Sequence, residues 1–150
     1  MHSQKNILNE AYFLNTNIII DFLAYRKPFS MFAAKLFNFS LAGKIKLYIS
    51  AVSYNNIYYI LRQSQSASQT VKHLQELSEM TEITDVTKDI IKKALKSAFK
   101  DFEDVIQYYA ALSNNKIDII VTRNTKDFKE SDLAIMTPEE AVKLIENNGK

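Results

Sequence analysis

Residues 11–23 read AYFLNTNIIIDFL, and this stretch sets the pattern that the rest of the chain repeats. Its first four residues form a short apolar run that predicts a strand, and residues 16–23 predict a turn that enters a short helix. The polar residues Asn15, Thr16 and Asn17 stand between the two elements. Because strands and helices go on alternating along the chain, we expect a parallel sheet covered by helices on both faces.

Further apolar runs predict four more strands, over residues 46–50, 82–86, 117–122 and 133–136. The run at 117–122, IDIIVT, is the most continuous, and its polar flanks are typical of a strand buried on both faces. Capping residues and helical spacing predict six further helices. Three have predicted spans: Pro28 to Gly43, residues 67–79 and residues 138–147. The other three begin after the capping residues Ser50, Thr87 and Asp101. Ile91, Ala94 and Leu95 are expected on the apolar side of the helix after Thr87.

The composition indicates one soluble domain over residues 1–150, with residues 1–10 as a flexible N-terminal segment. Apolar residues make up 47% and charged residues 24%, values typical of globular proteins. The absence of cysteine excludes disulfides, thiolate metal sites and a cysteine nucleophile, so a cytoplasmic protein is the simplest interpretation. We expect neither a membrane span nor a signal peptide. A net charge of +2 is too small to indicate nucleic-acid binding by itself.

Functional groups in parallel sheets gather beyond the carboxyl ends of the strands. Three polar segments fall at such ends in the predicted sheet. They are residues 15–17 after the first strand, residues 50–56 after the second, and Arg123 with Asn124 after the buried one.

Four segments, taken together and in this order, resemble the PIN-domain family: FLNTNIIIDFL (13–23), SYNNIYYILR (53–62), DFEDVIQYYAA (101–111) and IIVTRNTKDF (119–128). The resemblance covers nearly the whole chain, from Tyr12 to Ile145. It implies a three-layer α/β/α sandwich with a central parallel sheet of four to five strands. In many relatives it also implies a Mg²⁺- or Mn²⁺-dependent ribonuclease, often the VapC-like toxin of a toxin–antitoxin pair.

Such enzymes hold their metal with about four acidic side chains, and the resemblance assigns those positions to Asn15, Asn56, Asp104 and Asn124. A branch of the family similar to this chain carries Asn at the second and fourth positions, so Asn15, which replaces the Asp of an Asp-Thr-Asn pattern, is the main departure. An amide keeps an oxygen ligand but loses a Coulomb attraction of about 4 kcal/mol per unit charge at 4 Å and an effective dielectric of 20. We therefore expect one weakly held ion and weakened or lost activity.

Other charged residues near these motifs have competing interpretations. Asp21, Glu103 and Asp127 could act as auxiliary acids, while Asp101 is expected to be a helix cap. Asn15, Asn17 and Asn124 could each be a turn residue whose side chain bonds its own backbone. We favour that interpretation for Asn17, whereas the motif positions of Asn15 and Asn124 favour a role in the site. Arg123, Lys126 and Thr122 could bind phosphate, although Thr122 could equally just close the strand. Lysines recur every four residues at Lys88, Lys92, Lys96 and Lys100, a pattern typical of a solvated helix face.

Two hypotheses follow from these residues. In the first, the chain is a PIN-like endoribonuclease in which Asp104, Asn15 and Asn124 carry the chemistry at a Mg²⁺ or Mn²⁺ ion. In the second, it is a non-catalytic PIN-fold module that binds RNA or a protein. The resemblance further implies an RNA substrate, an antitoxin partner and a homodimer, and the aromatic side chains of residues 28–39 are candidates for the partner surface.

Overall fold

The computed structural model describes residues 10–97, 101–128 and 131–148. Of the predicted flexible segment at residues 1–10, all but Glu10 therefore lies outside the described residues, as does Lys100. The strands are β1 (Ala11–Leu14), β2 (Lys46–Ser50), β3 (Glu82–Thr84), β4 (Ile119–Val121) and β5 (Ala134–Met136). The α-helices in this part of the chain are α1 (Thr16–Leu23), α2 (Ser30–Leu41), α3 (Ala51–Leu61), α4 (Ala67–Met80), α5 (Lys88–Leu95), α6 (Phe102–Ser113) and α7 (Pro138–Asn148).

The five strands form one sheet in the order β3-β2-β1-β4-β5. Every neighbouring pair is parallel, and Phe13 of β1 lies opposite Tyr48 of β2 and Ile120 of β4. The predicted parallel sheet is therefore confirmed. Since β1 is central, the carboxyl ends of β1, β2 and β4 lie side by side at one edge of the sheet.

Side chains of the central strand alternate between two apolar cores. Tyr12 and Leu14 face the core formed with α1, α2, α3, α4 and α7. Ala11 and Phe13 face the core on the other side, which includes Tyr108 of α6. Helix α5 covers α6 through a third apolar cluster. This period of two gives the three-layer α/β/α sandwich that the sequence predicts.

The helix starts follow the predicted capping residues. The side chain of Ser50 accepts from the backbone N–H of Val52, and Thr87 accepts from Ile90 N–H. Asp101 accepts from two backbone N–H groups at the start of α6. Helix α7 begins with a capping box that joins Thr137 and Glu140, and Gly43 follows α2 with a φ of 77°.

Several predicted details are wrong. Helix α2 begins at Ser30, so Pro28 precedes the helix and is not in its first turn. Leu95 is exposed, because α5 packs only a narrow face against α6 and buries Ile90 and Ala94 there. The predicted strands at residues 82–86 and 117–122 shorten to β3 and β4, although hydrogen bonds from Asp118 and Thr122 N–H extend the pairing of β4.

A 3₁₀ helix over Thr125–Phe128 was not predicted from the sequence. It directly follows the polar turn after β4 and buries the ring of Phe128 in the α6 side of the sheet. Lys88, Lys92 and Lys96 are exposed, consistent with a solvated face on α5. None of the described helices is long and apolar enough to cross a membrane.

A buried ion pair joins α1 to the turn after β4. The side chain of Asp21 is 1% exposed, and its carboxylate accepts hydrogen bonds from Arg123 Nε at 2.8 Å and Nη2 at 3.2 Å. The Arg123 guanidinium also lies 4.1 Å from the ring centroid of Phe29, just before α2. Asp21 and Arg123 are 102 residues apart in the chain, so this pair holds together segments that the sheet alone does not fix.

We expect Arg123→Met to lower the free energy of unfolding by about 3–5 kcal/mol, because it leaves a buried carboxylate without its bidentate partner. Urea denaturation measures the loss. Arg62→Met is the control, since Arg62 is exposed and bonds only the nearby Gln65 carbonyl, and it should change stability by less than about 1 kcal/mol. Asp21→Leu combined with Arg123→Met should recover most of the loss. An effect of Arg123→Met as small as that of Arg62→Met would contradict the assignment.

Candidate functional site

A cleft of about 270 Å³ opens at the carboxyl edge of the sheet. It lies between the start of α1, one face of α3, the first turn of α6 and the segment after β4. Many of the residues predicted for the site line it: Asn15, Asn56, Glu103, Asp104, Asn124 and Asp127. The structure thus brings together all four positions that the family resemblance assigned, from segments far apart in the sequence.

Backbone contacts place the side chains of the cleft. Asn15 directly follows β1, and its N–H donates to the carbonyl of Val121 at 3.0 Å, which joins the ends of β1 and β4. Asp101 Oδ1 accepts from the N–H groups of Glu103 at 2.9 Å and Asp104 at 3.2 Å. This cap, predicted from the sequence, fixes the turn that presents both carboxylates to the cleft.

Amide groups of asparagine bond both carboxylates. Asn15 Nδ2 donates to Asp104 Oδ1 at 3.3 Å, while Asn15 Oδ1 accepts from Asn17 N–H and caps α1. Asn56 Nδ2 donates to Glu103 Oε2 at 2.5 Å. The oxygen of Asn15 therefore belongs to the helix cap, and its NH₂ group faces Asp104.

Electrostatic strain remains in spite of these bonds. Burial raises the pKa of Asp104, the hydrogen bond from Asn15 lowers it, and the charges of Asp101 and Asp127 raise it again. Burial likewise raises the pKa of Glu103, and Asp101 and Asp104 add to the effect. The carboxylates repel one another, and a cation in the cleft would relieve that repulsion.

A buried polar network supports the cleft from beneath. Thr16 N–H donates to Gln107 Oε1 at 3.1 Å, and the hydroxyls of Thr16 and Ser53 are 2.7 Å apart. These contacts link α1, α3 and α6. Gln107 was not singled out from the sequence, although a glutamine beside Val105 and Ile106 on a buried helix face was a usable signal.

Two further cleft residues differ from the sequence analysis. Asn17 is not a turn residue bonded to its own backbone, because it lies in the first turn of α1 and its buried Oδ1 has no hydrogen-bond partner among the described residues. Arg26 lines the cleft, and its Nη1 atom lies 4.0 Å from Asp21 Oδ1. Arg26 was missed, since nothing in its sequence surroundings marks it.

The structure does not bring the remaining predicted residues into the cleft. Asp21 and Arg123 are paired with each other. Thr122 is buried, its N–H donates to the carbonyl of Met136 and its hydroxyl accepts from Asn124 N–H, so it closes the strand. Lys126 is exposed and does not line the cleft.

The donor set fits one hard cation better than two. Across residues 10–97, 101–128 and 131–148, no three His, Cys, Asp or Glu side chains are grouped so that they could hold a metal ion together. Carboxylate and amide oxygens are nevertheless the ligands that Mg²⁺ and Mn²⁺ prefer, and Mg²⁺ is commonly held through one or two carboxylates with water. Asp104 could therefore hold a single ion.

The chain is similar to solved toxin–antitoxin proteins. VapBC-1 from nontypeable Haemophilus influenzae has 22% identity and a TM-score of 0.65, over 86% of this chain and 98% of that chain. A toxin–antitoxin complex from Klebsiella pneumoniae has 21% identity and a TM-score of 0.63, over 85% and 97%. VapC20 from Mycobacterium tuberculosis, a Sarcin-Ricin loop cleaving toxin, has 16% identity and a TM-score of 0.57, over 73% and 86%. At these identities the likeness shows the fold.

Comparison with curated proteins gives no significant match. A family model described as PIN domain matches residues 11–126, which include β1 to β4 and every residue named above in the cleft except Asp127. This match covers well over half of the chain, and the sheet order and the position of the cleft agree with it. The chain therefore belongs to the PIN domain family.

Proposed function

We propose that this protein is a metal-dependent endoribonuclease of low activity and the toxin component of a toxin–antitoxin pair. The observation that carries the proposal is the convergence of Asn15, Asn56, Asp104 and Asn124 on one cleft of a PIN domain. The fold likeness to proteins described as toxins and toxin–antitoxin complexes supports it.

Asp104 would hold the Mg²⁺ or Mn²⁺ ion, with the amide oxygens of Asn15, Asn56 and Asn124 as neutral ligands and Glu103 and Asp127 as auxiliary acids. When bound, the ion would supply positive charge that polarises the attacking water and offsets the charge developing on the phosphodiester. The Arg26 guanidinium, which lines the same cleft, is suited to bond a phosphate oxygen of the substrate.

The low activity follows from the orientation of Asn15. Its NH₂ group faces Asp104 and its oxygen caps α1. To offer that oxygen to a cation, the amide must rotate and give up both hydrogen bonds. Each such bond contributes about 0.5–1.5 kcal/mol, more when one partner is charged, so rotation opposes metal binding.

The partners in this proposal are an RNA substrate, an antitoxin protein and a second copy of the chain, in the cytoplasm. Lys126 is exposed beside the cleft segment and remains available to RNA phosphate, whereas Arg123 is engaged by Asp21. Met31 and Leu41 leave apolar side chains exposed on α2, where a protein partner could pack.

A second candidate function is a non-catalytic module that binds RNA or protein through the same fold. One observation favours it: Asp104 and Glu103 each accept a hydrogen bond from an asparagine amide, so the chain itself supplies a donor to both carboxylates. In this case binding is independent of metal, and chelator leaves it unchanged.

A metal titration separates the two functions. We expect millimolar Mn²⁺ or Mg²⁺ to raise the melting temperature and to support RNA cleavage, and a concentration tenfold above Kd stabilises by about 1.4 kcal/mol. Asp104→Asn should abolish both effects. Asp85→Asn is the matched control, because Asp85 is exposed and outside the cleft. Equal melting temperatures and no cleavage with and without metal would exclude the nuclease and favour the module.

Asn15→Asp tests the assignment of Asn15. Aspartate caps a helix as well as asparagine does, but its second oxygen replaces the amide donor that faces Asp104. Without metal we expect a loss of about 1–3 kcal/mol from repulsion and the lost hydrogen bond. With metal we expect at least about tenfold tighter binding, since a new charge faces the ion, and faster cleavage.

The control for this variant is Asn115→Asp, which adds the same charge at an exposed turn. It should leave metal affinity and stability nearly unchanged. Calorimetric titration of Mn²⁺ measures the affinities directly. Unchanged affinity in Asn15→Asp would show that Asn15 is not a ligand position.

A further inference from the structure

A second pocket, of about 380 Å³, adjoins the carboxylate cleft. It lies between the start of α2 and the start of α7, and its apolar walls are the rings of Phe29, Phe32 and Pro138. Arg123 and Glu139 also line it. Asn124 lines both this pocket and the cleft, so a single extended ligand could occupy the two together.

Arg123 contributes its planar guanidinium to this pocket, and the carboxylate of Asp21 compensates the guanidinium charge. Asp21 accepts from its Nε and Nη2, and these two bonds fix the plane of the guanidinium. The guanidinium carbon Cζ lies 4.1 Å from the centroid of the Phe29 ring, so Arg123 covers one face of that ring. Unpaired nucleobases stack on aromatic rings and on guanidinium planes of this kind.

Two side chains in the pocket, Phe29 and Asn124, have exposed surface or hydrogen-bonding groups that could contact a ligand. Phe29 is 39% exposed, although it is a large aromatic residue next to the core. The side-chain amide of Asn124 forms no hydrogen bond within the described part of the chain and is exposed. An amide offers two donor hydrogens and an acceptor, which suits the edge of a base.

We propose that this pocket binds an unpaired nucleobase of RNA, that of the nucleotide next to the phosphate in the carboxylate cleft. We call it the base pocket, and it is formed by Phe29, Phe32, Arg123, Asn124 and Pro138. This inference rests on the proposed function. A base fits better than a phosphate, because Asp21 compensates the charge of Arg123 and no other basic residue of the described chain lines the pocket. The shared Asn124 sets the base beside the cleft.

The test uses short single-stranded RNA oligonucleotides that carry 2-aminopurine at one position in turn, with Mg²⁺ present. Stacking quenches the fluorescence of 2-aminopurine. We expect wild-type protein to quench one position strongly, and Phe29→Leu to lose that quenching and weaken binding by about 5- to 10-fold. Phe29→Tyr keeps the ring and should retain both.

Tyr59→Leu is the matched control, since Tyr59 is an exposed aromatic residue on α3 that does not line the base pocket. It should leave quenching and affinity unchanged. Circular dichroism checks that each variant is folded, and the retained binding of Phe29→Tyr shows that position 29 tolerates substitution.

Two results would overturn the base pocket, and they differ. If wild-type protein cleaves or binds RNA and folded Phe29→Leu behaves identically, only the base pocket fails, and the pocket is left to a side chain of a protein partner. If wild-type protein neither binds nor cleaves RNA with or without metal, the proposed function fails and the base pocket fails with it.

Discussion

Two half-buried carboxylates at the start of α6 impose the condition that organises the rest of the cleft. Burial raises the pKa of both Glu103 and Asp104, and their charges must be met by donors if the first turn is to keep its place under the sheet edge. Asn15 and Asn56 meet them with amide hydrogens. The amides therefore stabilise the two carboxylates from positions where the family resemblance implies metal ligands.

The fold and the proposed metal binding require the same side-chain atoms of Asn15. Asn15 caps α1 with its oxygen and bonds Asp104 with its nitrogen, so one side chain secures a helix start and a contact 89 residues away in sequence. The network of Thr16, Ser53 and Gln107 holds the three helices behind it. A ligand that draws the Asn15 oxygen into the cleft must act against both bonds.

Local signals in the sequence predicted most of the fold. The apolar runs gave β1 and β2 with their observed bounds, and Asp101 marked the start of α6 because capping depends on residues within one turn. The cap that Asn15 forms on α1 was not predicted. The four candidate positions converge as predicted because strand ends share a sheet edge. Their roles as ligands remain predictions.

Contacts that depend on tertiary packing were not predictable in this way. The Asp21–Arg123 pair spans 102 residues, and no local pattern indicates that Arg123 bonds a carboxylate in place of phosphate. Arg26 reaches the cleft only because of the chain path after α1. The exposure of Leu95 depends on how much of α5 its partner helix covers.

The central place of β1 in the sheet also determines when the carboxylate cleft can form during synthesis of the chain. β1 is made before β2 and long before β4, yet it pairs with both. A nascent chain that stops short of residue 119 has no neighbour for one side of β1 and no Val121 carbonyl for Asn15. Such a chain lacks the assembled cleft, so the residues of the site come together only after β4 has left the ribosome.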